Sequence, residues 1–287
     1  MRPRLLFACC SARRSQRAPV SKTCSVNHTH VTFIPGVLSL VAAVSVFGVS
    51  HLWAGAGMSA GEVAALTGPD LAGQMCLTAP TAPSDRHGVF VIKAGRNNKR
   101  EVPVDCKVEL QQGKWEAVYE TSNTASAGPE KLVIIHNPSG PNEYLYARAS
   151  GPGAALPEPA PLPPGMLDQP FGGSDFSIGE LGLDFFHWSG QHRLAAERRL
   201  GQPCAVLEST NGLKSGIVRI RSSIDEENLG LLYAEGYDND GNKIKEFSLD
   251  SSSFKKDAQG HGELKQMGID NLKLHSHTDL KFDTVKY

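Results

Sequence analysis

Period-two alternation, repeated in short runs from residue 102 to the carboxyl end, is the feature that most narrows what this chain can fold into. In Val102-Pro-Val-Asp-Cys-Lys-Val-Glu-Leu110 the residues Val102, Val104, Cys106, Val108 and Leu110 share one face, while Asp105, Lys107 and Glu109 share the other. Successive side chains of a strand point to opposite faces, so this segment reads as a strand with one wet side. Gln111-Gln-Gly-Lys114 supplies a turn, and Trp115, Ala117 and Tyr119 continue the apolar row on the return strand. Lys131 to His136 and Glu143 to Arg148 follow as strands, joined by Asn137-Pro-Ser-Gly-Pro-Asn142. Connections this short favour an antiparallel meander, because parallel neighbours need a crossover of about a dozen residues or more.

The pattern returns in the carboxyl half. Cys204 to Glu208, Gly216 to Arg221, Gly230 to Tyr237, Ile244 to Leu249, His261 to Ile269 and Leu272 to Asp283 read as strands, with Asp238-Asn-Asp-Gly241 as a hairpin turn. In the last of these, Leu272, Leu274, Ser276, Thr278, Leu280 and Phe282 form one row, and His275 and His277 fall in the polar row opposite. Two histidines at that spacing can chelate zinc, but no third ligand is identifiable and no metal is expected. Asp225, Glu226 and Glu227 read as a solvated acidic turn. Helical signals are few. A capping-box spacing, Ser59 with Glu62, opens a short helix that Gly68-Pro69 is expected to end, and residues 78 to 88 read as loop. Ser177 with Glu180 opens a second helix, in which Ile178, Leu181, Phe185 and Trp188 follow at helical intervals. Gln191 to Leu200 has a helical composition but a turn-like flank.

With 40% apolar and 21% charged residues the chain lies in the globular range. Its net charge of -1 averages two unlike parts: residues 1 to 56 carry six basic and no acidic residues, and the remainder carries 23 basic against 30 acidic. The acidic body has no footprint for a nucleic-acid backbone. The basic start, the uncharged apolar run 33 to 49 and Ala54-Gly-Ala56 together read as an export signal, residues 1 to 56, cleaved after Ala56. An uncleaved inner membrane anchor is the alternative, since 17 apolar residues reach the lower edge of a span. Residues 57 to 287 are then expected to form a single exported domain. The stretch 150 to 171, with seven prolines, is read as a long connection inside it. A sheet from the first half alone leaves an apolar face bare, and the second half is expected to cover it.

The exported body keeps three cysteines. A bridge between Cys76 and Cys106, 30 residues apart, is expected to tie the amino-terminal helix to the first long strand and leave Cys204 as a buried thiol. Three buried free thiols are the alternative. No Gly-x-Ser-x-Gly elbow, Gly-x-Gly-x-x-Gly loop, Cys-x-x-Cys pair or His-Glu-x-x-His helix is present. No catalytic residue and no cofactor are assigned, and an enzyme is not expected.

Three segments resemble a known family: Phe171-Gly-Gly-Ser-Asp-Phe-Ser-Ile-Gly-Glu-Leu181, Gly201-Gln-Pro-Cys-Ala-Val-Leu-Glu208, and Tyr237-Asp-Asn-Asp-Gly-Asn-Lys243 with Phe254-Lys-Lys256 and Met267. In order and spacing they are similar to the LolA-like outer membrane lipoprotein-sorting proteins, over roughly residues 95 to 283. The resemblance implies a mainly β fold in which a strongly curved antiparallel sheet, an incomplete barrel, wraps over short helices around an apolar cavity. It makes 191 to 200 a strand. It implies a periplasmic carrier or chaperone, a monomer, that binds the acyl chains of lipoproteins or lipids and receives them from an inner membrane lipoprotein-release transporter. An envelope lipid or protein sensor without transport activity is the alternative. The aromatic and large apolar residues expected to line such a cavity are Trp115, Tyr119, Tyr144, Tyr146, Phe186, Trp188, Leu231, Tyr233 and Met267.

Overall fold

The computed structural model describes residues 58–283, apart from 96–97, 139, 164, 215, 251–252 and 257–261. The export segment and the Ala54-Gly-Ala56 site lie outside the described residues. Two helices come first. In α1 (Ala60–Ala65) the expected capping box forms, with Ser59 accepting from the Glu62 backbone and the Glu62 carboxylate accepting from the backbone of Ser59. Gly68-Pro69 does not end the helical region but opens α2 (Gly68–Leu77), whose N-cap is Thr67. Proline suits the first helical positions because its missing N–H has no partner to lose there. A methyl group on Gly68 would lie 2.4 Å from the Gln191 carbonyl oxygen, so only glycine lets α2 start this close to the sheet.

The strands are β1 (Ser84–Ala94), β2 (Asn98–Gln111), β3 (Lys114–Thr121), β4 (Glu130–His136), β5 (Glu143–Arg148) and β6 (Ala160–Pro161), then β7 (Gly190–Arg199), β8 (Gln202–Thr210), β9 (Arg219–Asp225), β10 (Leu231–Tyr237) and β11 (Lys243–Ser248). A separate ribbon of β12 (Phe254–Lys256) and β13 (Gly262–Leu264) precedes the last hairpin, β14 (Gln266–Asn271) and β15 (Ser276–Phe282). Among the described residues thirteen strands make one sheet in the order β6-β5-β4-β3-β2-β1-β15-β14-β11-β10-β9-β8-β7. Neighbours are antiparallel, and the sheet is open and curved, with β6 and β7 at its edges. The two meanders are joined through the final hairpin, which places β15 against β1 with Phe90 opposite Leu280.

Two apolar clusters fill the concave side. One gathers Phe90, Leu132, Ile134 and Leu280 from the sheet with Phe171 at the end of the proline-rich connection and Phe176 and Ile178 just after it. The other packs Val63, Leu71 and Met75 of the first two helices, with Phe185 and Phe186, against Leu207, Ile220 and Ile224. The proline-rich connection thus brings the cover for the first meander, and strands from both sides of it share one sheet.

Several expectations are corrected. The loop read over 78 to 88 gives way to β1 from Ser84 onward. The helix expected over 177 to 188 is two pieces: α3 (Ile178–Leu181), with its capping box intact, and a 3-10 turn at Asp184–His187. Leu183, at φ 52, breaks the helix, and Gly182 passes so close to Tyr144 that a methyl group there would lie 2.4 Å from the hydroxyl. The segment 190–199 is strand, as the resemblance implies and its composition does not. The strand expected from Gly216 starts at Arg219, and the one expected over 261 to 269 is divided at Lys265 between β13 and β14. The last strand begins only at Ser276, because residues 272–275 turn, and Leu272 and Leu274 are exposed. Asp225 and Glu226 are buried rather than solvated, Glu226 within 3.5 Å of Arg193. Cys76, Cys106 and Cys204 are all free thiols, against the expected Cys76–Cys106 bridge. Cys76 Sγ instead lies 3.6 Å from His187 Nδ1. Among the described residues no helix is long and apolar enough to cross a membrane.

Candidate functional site

Where the two clusters face each other they do not close, and a cavity of about 680 Å³ remains. Its walls come from β1 to β4, β9 to β11, β14 and β15, and from the α3 region. Val108, Trp115, Ala117 and Tyr119 form one wall, Ile220, Leu232, Ala234 and Phe247 another, and Met267, Ile269 and Phe282 join them. Leu181, Leu183 and Phe185 close it from the helical side, Phe254 and Leu264 from the ribbon, and Leu249 from just beyond β11. Phe247 packs against both clusters and so spans the gap between them. The exposed lining residues, from Thr81 to Asp85 with Lys107, mark the rim.

Of the nine side chains expected to line a cavity, Trp115, Tyr119, Leu231 and Met267 do so. The other five have different tasks. Tyr144 donates from its hydroxyl to Asp184 at 3.2 Å and so holds the 3-10 turn to the sheet, and Tyr146 donates to Glu130 of the neighbouring strand β4 at 2.9 Å. Phe186 lies within the helical cluster, 4.5 Å from Phe185 between ring centroids. Trp188 Nε1 donates to Asp184 at 3.4 Å. Tyr233 is on the other face of the sheet, with the Arg199 guanidinium 3.8 Å above its ring and its hydroxyl on Glu235. A register shift between Leu231 and Tyr233 explains that error: one extra residue reverses which side chains face inward, so Leu231 and Tyr233 do not share a face. The lining residues missed by sequence, Phe247 and Phe185 among them, carry no signal that separates them from packed core.

Burial governs the titrating groups of this region. It pushes the Cys106 thiol up to about 12 and the Cys76 thiol up to about 11, with Asp184 adding to the latter, so both stay protonated. His136 lines the cavity stacked on Trp115, ring centroids 3.6 Å apart. Burial, aided by the charge of His187, lowers its pKa to about 3. A histidine held neutral in the folded state stabilises the fold above its unfolded pKa of ~6.5, and that stabilisation is lost as the pH falls toward the folded value. Between pH 6 and pH 4, His136 is expected to remove up to about 1.4 kcal/mol of stability per pH unit. Urea titrations at several pH values check this: His136→Gln should flatten the slope, and an unchanged slope contradicts it.

The two histidines of the last hairpin do not meet a metal-binding set. His275 is exposed in the turn, and His277 sits between Asp270 and Asp279, 2.9 Å from each. Among the described residues no group of three or more His, Cys, Asp or Glu side chains is placed to hold a metal ion.

A family model with the description "Uncharacterized protein" matches residues 118–287, more than half of the chain. The chain belongs to that family. None of the curated proteins matches it. Among solved structures, it is similar to an outer membrane lipoprotein-sorting protein domain from Vibrio parahaemolyticus, at 16% identity and a TM-score of 0.59, over 76% of this chain and 90% of that one. A DUF1329 family protein from Desulfovibrio piger matches at 19% identity and a TM-score of 0.57, over 76% and 90%. A LolA superfamily protein from Nitrosomonas europaea matches at 14% identity and a TM-score of 0.52, over 77% and 93%. These likenesses establish the fold: this family member has the LolA-like open curved sheet.

Proposed function

We propose that this protein is a periplasmic carrier that holds acyl chains of lipoproteins or lipids in its cavity, and that it works by binding rather than by catalysis. The observation that carries the reading is the unfilled cavity of about 680 Å³ with mostly apolar walls, lined by residues of both apolar clusters. Protein interiors are close-packed, and space of this size that is lined by Trp115, Tyr119, Phe247 and Ile269 is suited to an apolar occupant. Each methylene moved from water into such a site gains about 0.8 kcal/mol, so a dozen gain about 10 kcal/mol before the cost of immobilising the chain. That gain needs no specific polar contact, which suits a carrier that must also release its cargo. The export signal read from the sequence of residues 1 to 56 and the sorting domain of similar fold support the periplasmic setting. An inner membrane lipoprotein-release transporter is the donor such a carrier requires.

The test is native mass spectrometry of the purified body together with transfer of a fluorescent acyl probe to acceptor vesicles. A co-purified lipid or a bound probe, released faster when vesicles are added, is the expected result. Retention without transfer assigns the protein to lipid sensing instead, and no binding of any acyl compound overturns the cavity reading.

A further inference from the structure

Among the described residues the cavity wall contains one enclosed ion pair. Lys245 of β11 and Glu180 of α3 both line the cavity, with side chains 17% and 15% exposed, and Lys245 Nζ donates to Glu180 at 2.7 Å. The same ammonium donates to the Asp175 carbonyl oxygen at 2.7 Å, and the Glu180 oxygen that it meets also accepts the Ser177 backbone N–H. Desolvating two charges offsets much of their attraction, so a pair placed on an apolar wall is a poor source of stability compared with apolar side chains of the same size. An ammonium has three N–H donors, and these two contacts take two of them.

The other charged lining groups are placed differently. Arg86 lies 4.2 Å over the Phe282 ring and donates to the Leu264 carbonyl, and Lys107 is exposed and paired with Glu109. Asp225 accepts from its own turn, at the Glu227 N–H and the Asn228 amide. Among the described lining residues Lys245 is therefore a cation enclosed by an acidic partner, with two of its three donors engaged. Its charge is already met by Glu180, and Asp168, whose carboxyl is raised chiefly by burial and then by Glu180, is a second acidic neighbour. A ligand carboxylate would meet those two acids. A neutral oxygen accepts the remaining N–H without that repulsion.

Resting on the cavity reading above, we infer that Lys245 is a specificity-determining residue that receives the neutral carbonyl oxygen of an acyl ester or amide while the chain occupies the apolar walls. One charge-assisted hydrogen bond of this kind is worth about tenfold in affinity or more.

The experiment is competition against bound cis-parinaric acid by methyl palmitate, palmitate and hexadecane, in the wild-type body and in the double variant Glu180→Gln/Lys245→Met, which removes both charges and leaves neither unpaired. Comparing the two proteins cancels each competitor's own solubility. Methyl palmitate is expected to lose about tenfold in the double variant, hexadecane to stay within twofold, and palmitate to compete no better than the ester in wild type. An ester whose affinity is the same in both proteins overturns the role of Lys245, and a clear preference for palmitate over the ester overturns the neutral-carbonyl assignment. Infrared spectra of methyl palmitate labelled with carbon-13 at the carbonyl test the same contact in wild type alone: a stretch lowered relative to the ester in hexadecane supports it, and an unshifted band overturns it. If wild type binds no acyl probe at all, the cavity reading fails first and this inference with it.

Discussion

Phe90→Ala is expected to remove about 3–5 kcal/mol of stability, the range for emptying a phenylalanine site in a core that relaxes only in part. Phe90 is fully buried at the centre of the first cluster, with the Phe171 and Phe176 rings 6.2 and 6.1 Å away between centroids, and it does not line the cavity. It belongs to the strand that pairs with β15, so the loss loosens the seam between the two meanders as well as the cover brought by the proline-rich connection. Leu274→Ala is the matched control. Sequence alternation puts Leu274 in an apolar row, yet it is 66% exposed in the β14–β15 turn, and its replacement is expected to change stability by no more than about 0.5 kcal/mol. Urea unfolding followed by tryptophan fluorescence measures both. Equal effects at the two positions would contradict the description of this hairpin.

The contrast between those residues shows how the sequence can be read and where it misleads. Alternation found the sheet because one face of each strand is covered: Val102, Val104, Trp115 and Ala117 are buried as their spacing requires. It failed where backbone geometry interrupts the period. His275 turns at φ 51, the shift between Leu231 and Tyr233 reverses a face, and Leu183 at φ 52 divides a helix whose apolar spacing was correct. Local composition favoured helix over 191 to 200, and pairing with β8 overrode it. Capping signals were faithful at Ser59 and Ser177, since a side chain that bonds the backbone three residues on acts without tertiary help. The cavity was the least legible feature. A residue beside an unfilled space and a residue in a packed core have the same composition and period, and the difference lies in whether opposing faces meet. Tyr144 and Tyr146 were misplaced for a related reason, because their hydroxyl partners, Asp184 and Glu130, are remote in sequence and give the rings a structural task.

Filling the cavity should separate binding from folding. Met267→Trp and Leu231→Trp each add an indole to the lining where open volume is available, so little packing must yield. Each added ring displaces roughly two to three methylenes of a bound chain, about 2 kcal/mol at ~0.8 kcal/mol per methylene, and the affinity for an acyl probe is expected to fall about thirtyfold. Together the two changes should bring the probe close to nonspecific binding. Tyr233→Trp is the control, since this neighbour of Leu231 faces away from the cavity under Arg199, and it should leave probe affinity within about twofold. Thermal unfolding measured beside the binding assay gives the second axis: the cavity variants should keep midpoints within a few degrees of wild type, unlike Phe90→Ala. If Met267→Trp and Leu231→Trp bind the probe as wild type does, the chain lies elsewhere on the protein. If they unfold like Phe90→Ala, the walls already touch, and the space between the two clusters is ordinary core.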